Sequence, residues 1–144
     1  MRLQISTEKA RLDVGLIHQF LTHESTWAIG IPLELVKKSI DQSLCFGAYI
    51  DDQQIGFARV VSDFSTFAYL MDVFILPAYR AKGYSRQLPQ AVFAHPDLQG
   101  LRRFMLASSN ARGLYQQFGF QQLAKPEIMM EINQPGIYQN NLAV

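Results

Sequence analysis

Cysteine is almost absent from this chain: Cys45 is the only one in 144 residues, so no internal disulfide and no cysteine-rich metal site can form. Charge is scarce too. Thirteen lysines and arginines nearly balance twelve acidic residues, leaving a net charge of +1. That balance gives no general pull toward nucleic acid or an acidic membrane surface, so neither is expected as a partner. No apolar run approaches the ~18–20 residues of a membrane span. Residues 1–9 carry charge and polarity where a secretory leader needs an apolar stretch. A cytoplasmic, reducing location is the resulting expectation, with no metal. No Gly-x-x-x-x-Gly-Lys-Ser/Thr loop occurs either, which disfavours a nucleotide binder of the phosphate-loop type.

What is present is apolar material. Hydrophobic residues make up 49% and charged residues 17% of the sequence, enough to bury a core in one domain. We place that domain at residues 1–132, followed by a weakly patterned tail at 133–144. An edge strand is expected at residues 2–5. Leu12, Leu16, Ile17, Phe20 and Leu21 recur at helical spacing after Asp13, a suitable N-cap. Residues 23–30 read as a loop, and Pro32 suits the first position of a second helix. Three apolar runs at residues 44–50, 55–61 and 67–76, joined by short polar turns, predict an antiparallel meander. The third run is apolar on both faces, so both should be covered by helices. A helix to about residue 94, a strand at 101–107, a helix at 110–118 closed by Gly119, and strands at 120–123 and 128–132 complete the reading. The fold class is α+β: a central, mostly antiparallel mixed sheet flanked by helices on both faces.

The most informative stretch runs from Asp72 to Arg86. A buried strand ends at Pro77, a loop follows with Arg80, Lys82, Gly83 and Arg86, and a helix begins directly after it. The first N–H groups of a helix lack intrahelical partners and, with the macrodipole, make a positive end. A diphosphate can accept those bonds where a glycine leaves the approach clear. A solvated basic turn is the alternative reading.

Here the chain resembles the GNAT N-acetyltransferases. Arg80-Ala81-Lys82-Gly83-Tyr84-Ser85 is similar to the family's Arg/Gln-x-x-Gly-x-Gly/Ala signature. Asn110 to Phe120, with Tyr115 ahead of Gly119-Phe120, is similar to its later Asn…Tyr-x-x-x-Gly-Phe motif. The resemblance covers nearly the whole chain. It departs at Ser85, which replaces a second glycine or alanine, and at Pro89, about one turn into the expected helix. Such a proline is tolerated if the helix starts late or kinks.

The resemblance implies acetyl-CoA as co-substrate and transfer of its acetyl group to a primary amine, on a small molecule before a protein. It implies that Arg80, Ala81, Lys82, Gly83, Tyr84, Ser85 and Arg86 hold the cofactor's diphosphate. Main-chain amides of Val73, Phe74 and Ile75 would hold its pantetheine arm, and Tyr115 would be the general acid. Read from the residues alone, Tyr115 is more readily a core aromatic beside Phe118 and Phe120, and the motif shifts it toward the functional role. Asn110 either caps a helix or reaches the cofactor. Asp72, an acid in an apolar strand, is either a base tuned by burial or a structural carboxylate. His23 and Glu24 are alternative bases in the acceptor loop, where Trp27 is a candidate for substrate contact. Cys45 reads as a small buried hydrophobe. A non-catalytic acyl-CoA-binding module is the rival function, and a homodimer is left open.

Overall fold

The computed structural model describes residues 2–139. Five strands form one sheet in the order β1-β2-β3-β4-β5: Gln4–Ser6, Leu44–Ile50, Gln53–Ser62, Phe67–Ile75 and Arg103–Leu106. The first four are antiparallel neighbours, and β4 and β5 are parallel. The helices are α1 (Val14–His23), α2 (Leu33–Asp41), α3 (Tyr84–Phe93) and α4 (Arg112–Gln116). The mixed α+β architecture is the one the sequence implies.

Local chemistry sets most boundaries. Asp13 caps α1, its Oδ1 accepting from the Leu16 N–H at 3.0 Å. Pro32 sits one position earlier than expected, at the N-cap of α2. Asp51 and Asp52 both have positive φ, which gives the two-residue β2–β3 turn a twist matching its strands. At the β3–β4 turn the Asp63 carboxylate accepts from the N–H groups of Ser65, Thr66 and Phe67. Those bonds favour its ionised form and hold its pKa well below the usual carboxylate range.

The sheet is covered on both faces. Leu88 and Val92 of α3 pack with Phe46, Ala58, Val60, Ala68 and Leu70 on one side. Ile17, Phe20 and Leu21 of α1 and Val36 and Ile40 of α2 pack with Cys45, Phe57 and Phe74 on the other. Burial pushes the Cys45 thiol up to about 11, so it behaves as an inert core residue.

Two expectations fail at the C-terminal end. Residues 120–123 and 128–132 are not strands; a 3-10 turn at Pro126–Ile128 separates two irregular, exposed segments. Apolar content alone does not make a strand, because the ladder partner is a non-local requirement. The tail is not wholly frayed: Tyr138 packs against the α1/α2 layer. Its last five positions lie outside the described residues.

Candidate active site

The parallel β4–β5 ladder pairs Phe67 through Leu70 of β4 with Arg103 through Leu106 of β5. Beyond Leu70, β4 continues to Ile75 with β3 beside it and no described strand on its other edge. Backbone groups on that edge are therefore open to a ligand, apart from the Ile75 carbonyl, which accepts from Arg80 Nε. The side chains there are committed to packing. Ile75 and Val73 point to the α3 face, while Phe74 lies in the α1/α2 core and stacks on Phe20 with ring centroids 3.9 Å apart.

This change of facing comes from a bulge. Phe57 pairs with Phe74 and Arg59 with Met71, so Ala58 alone opposes Val73 and Asp72. Even-numbered residues of β4 (Ala68, Leu70) face α3 before the bulge, and odd-numbered ones (Val73, Ile75) after it. Gly56 on β3 permits the close approach, since an added Cβ would lie 2.9 Å from the Phe74 carbonyl oxygen.

Asp72 occupies the bulge with φ of 55°. Its Oδ1 accepts from Trp27 Nε1 at 2.8 Å, and its Oδ2 accepts from Arg59 Nε at 2.9 Å. Arg59 in turn donates from Nη1 to Ser43 Oγ at 3.0 Å. Both partners of this ion pair are almost fully buried. With both oxygens engaged, the geometry favours the structural alternative for Asp72 over the base. Arg59 and Ser43 were not singled out from the sequence. The signal was there: Arg59 is a lone charge in the apolar β3, and Asp72 is a lone opposite charge in the neighbouring strand.

The same network positions the loop after α1. Trp27 is half exposed and ties the loop after α1 to the β4 bulge through its indole N–H. Thr22 Oγ1 donates to the Ile31 carbonyl at 2.7 Å, and the Gly30 N–H donates to the Thr22 carbonyl at 3.1 Å. The loop is thereby pinned at both ends. His23, the last residue of α1, and Glu24, its C-cap, are exposed.

At the start of α3, Gly83 is the N-cap with φ of 85°, and Ala81 is also left-handed at 62°. A Cβ added to Gly83 would meet only the Gln87 side-chain amide, at 4.0 Å. The space above this turn is open, so the glycine leaves an approach clear rather than relieving a protein contact. Arg80 folds back, donating from Nε to the Ile75 carbonyl at 2.9 Å, and Lys82 lies over the Tyr79 ring. Tyr84 and Ser85 are the first two residues of the helix, so their amides have no intrahelical acceptor. Arg86 turns away: its guanidinium lies over the Phe118 ring and donates to Gln117 Oε1, linking α3 to the α4 end. Pro89 lies inside α3 with its ring buried, and the helix does not start late to accommodate it. The bond it removes would have gone to the Ser85 carbonyl, and burial of the ring offsets part of that loss.

Tyr115 on α4 is buried, with its ring edge-on to Phe93 and Phe120. Burial raises its pKa above the ordinary 10.0, so the hydroxyl keeps its proton at neutral pH. It also lines a groove of about 340 Å³ between β5 and residues 120–123. Asn110 is exposed and does not cap α4; Ala111 is the N-cap, and its N–H donates to Ser108 Oγ at 2.9 Å. That leaves the Asn110 side chain available to a ligand.

A mixed sheet whose fourth strand outruns the fifth, followed by a glycine-capped helix, defines the class of fold. The profile of the acetyltransferase (GNAT) domain matches residues 41–122. A Gibberella zeae protein named as an inferred acetyltransferase is 31% identical over 133 residues, covering 77% of this chain and 74% of its own. The crystal structure of an inferred GNAT-family acetyltransferase from Xanthomonas campestris superposes with a TM-score of 0.93 at 54% identity, over 96% of this chain and 97% of that one. A predicted acetyltransferase from Clostridium acetobutylicum, crystallised with acetyl-CoA, shares the fold, with a TM-score of 0.63 at 17% identity over 92% and 95% of the two chains. The chain belongs to the GNAT acetyltransferase family.

Proposed function

We propose that this protein transfers the acetyl group of acetyl-CoA to the primary amine of a small molecule. The observation that carries the reading is the end of the β4–β5 ladder at Leu70 and Leu106 while β4 continues to Ile75. It leaves main-chain N–H donors along Val73–Ile75 to a ligand, with the Ile75 carbonyl held by Arg80, one short loop away from the open turn at Gly83. The fit is supported by the space above Gly83, where a side chain would intrude into the cradle. Lys82, Gly83, Tyr84 and Ser85 would hold the diphosphate by main-chain N–H groups, with Arg80 and Lys82 adding charge. Asn110 would reach the pantetheine arm.

Acetyl-CoA supplies an activated thioester carbonyl. The N–H groups on the β4 edge orient and polarise that carbonyl. The attacking amine forms the C–N bond as the C–S bond breaks, and its proton passes to solvent or to His23 or Glu24. Tyr115 donates its hydroxyl proton to the departing sulfur and recovers one from solvent. Asp72 takes no proton in this scheme; with Arg59 it holds the bulge and, through Trp27, the acceptor loop.

Thiol release from acetyl-CoA, measured across a panel of small amines, tests the proposal. Turnover with at least one amine is expected. CoA binding without turnover across the panel would instead identify a non-catalytic acyl-CoA-binding module. Tyr115→Phe is expected to lower kcat by about 10²-fold, with CoA affinity nearly unchanged. Equal rates for the two proteins at every pH would remove Tyr115 as the acid.

A further inference from the structure

The sheet is covered unevenly on its α1/α2 side. Ala58 and Val60 of β3, Ala68 and Leu70 of β4, and Phe104 and Leu106 of β5 all pack toward α3. Their alternates therefore face the other way: Val61, Phe67, Tyr69, Met71 and Met105. Register joins these into one surface, since Val61 pairs with Tyr69 and Tyr69 with Met105. The α1/α2 core takes in Cys45, Phe57 and Phe74 but leaves this surface uncovered by any described residue. Val61 and Phe67 are 42% and 38% exposed, and Tyr69, Met71 and Met105 are half-buried.

This surface adjoins the open edge of β4. Met71 is the first residue past the end of the β4–β5 ladder. Asp72, next to it, accepts from the indole N–H of the half-exposed Trp27, which brings that ring to the border of the surface. The surface is small. Three strands ~4.8 Å apart and a two-residue step of about 6.7 Å along β4 give roughly 10 Å by 7 Å. That is the footprint of a small ring system, far below a protein interface. It is also electrically quiet. Arg59 pairs with Met71 across the strands, but its charge is cancelled by Asp72 at 2.9 Å. Arg103, opposite Phe67 at the outer margin, adds a positive charge that repels a polycation.

We infer that this surface selects the acceptor, and that the acceptor is a primary amine carried on a flat, uncharged aromatic ring. The inference rests on the acetyl-transfer reading above and names its substrate class. The ring lies over Tyr69 and Met71, and the arm bearing the amine runs along β4 toward the bulge. Tyr69 and Trp27 offer π faces, which reward an aromatic ring beyond the area it buries. Met71 and Met105 offer polarizable thioethers, which also favour an aromatic partner. An amino sugar or a polyamine would instead bury its polar groups against an apolar surface.

Steady-state thiol release with phenethylamine, hexylamine, glucosamine and spermidine ranks the classes. The kcat/KM for phenethylamine should exceed each of the others by about tenfold or more. Tyr69→Ala should raise KM for phenethylamine about tenfold, with kcat and the KM for acetyl-CoA nearly unchanged, and Tyr69→Phe should restore it. Fluorescence of Trp27, the only tryptophan, reads binding without chemistry and without any variant: phenethylamine should shift it saturably and spermidine should not. Any of the other three amines used as well as phenethylamine would overturn the aromatic assignment while leaving acetyl transfer standing. So would a wild-type KM in Tyr69→Ala. No turnover with any amine would overturn the acetyl-transfer reading instead, and the Trp27 titration then decides the surface by itself. A saturable shift with phenethylamine alone keeps it as a ring-binding site, and no shift overturns it.

Discussion

Asp72→Ala should lower the stability of this protein by about 3–5 kcal/mol, the usual loss when one partner of a buried ion pair is removed. Three effects add in the same direction. Arg59 is left as a buried charge facing no carboxylate. The indole N–H of Trp27 loses its acceptor. Alanine must also adopt the φ of 55° that Asp72 holds in the bulge, a left-handed conformation costing roughly 1–2 kcal/mol for a residue with a Cβ. Asp72→Asn separates these contributions. Asparagine tolerates the left-handed region and keeps an amide oxygen for Trp27 or Arg59, so its loss should be clearly smaller. Urea unfolding followed by the fluorescence of Trp27, the only tryptophan in the chain, reads both stability and the state of the loop after α1. An alanine variant as stable as the wild type would show that the network does not hold the bulge. Equal losses for alanine and asparagine would remove the backbone contribution.

Gly83→Leu should weaken CoA binding by at least tenfold while leaving the sheet intact. The position has φ of 85°, which a branched residue adopts only under strain, and a Cβ there finds almost no protein around it. The open space is where a diphosphate would approach the first amides of α3, so a leucine side chain obstructs the ligand before it obstructs the fold. Gly83→Ala carries the same backbone strain with far less bulk and should fall between the two. Lys82→Ala should have a smaller effect that shrinks further in high salt, because an exposed ammonium acts through screened charge. Calorimetric titration with CoA measures all four proteins. An unchanged affinity in Gly83→Leu would place the diphosphate away from this turn.

The parts of the fold that were legible are those fixed by neighbours in sequence. Asp13 ahead of an apolar helical stripe, the apolar run at Leu44–Ile50 and Pro77 after β4 each carry a local physical cause, and each lies close to where it was expected. The Gly83 turn was legible for the same reason. The bulge was not, because an extra residue in β4 is defined only against β3, and pairing is non-local. Leaving Asp72 open between a base and a structural carboxylate followed from that gap. A lone acid in an apolar strand calls for either a special pKa or a partner, and its partner, Arg59, lay thirteen residues earlier on the adjacent strand. Arg86 shows a different limit. Its place beside the glycine motif marked it for the diphosphate, whereas its long side chain reaches Phe118 and Gln117. Residues 128–132 have strand patterning that no described neighbour in the same chain pairs with, because a ladder partner is a non-local requirement that pattern alone does not supply.

One structure decides the central claim: crystals of this protein grown with CoA. Diphosphate oxygens within hydrogen-bond distance of the main-chain N–H groups from Lys82 to Ser85, with the pantetheine arm along β4 beyond Leu70, are the predicted result. CoA bound elsewhere on the protein, or touching this turn only through arginine and lysine side chains, would contradict it.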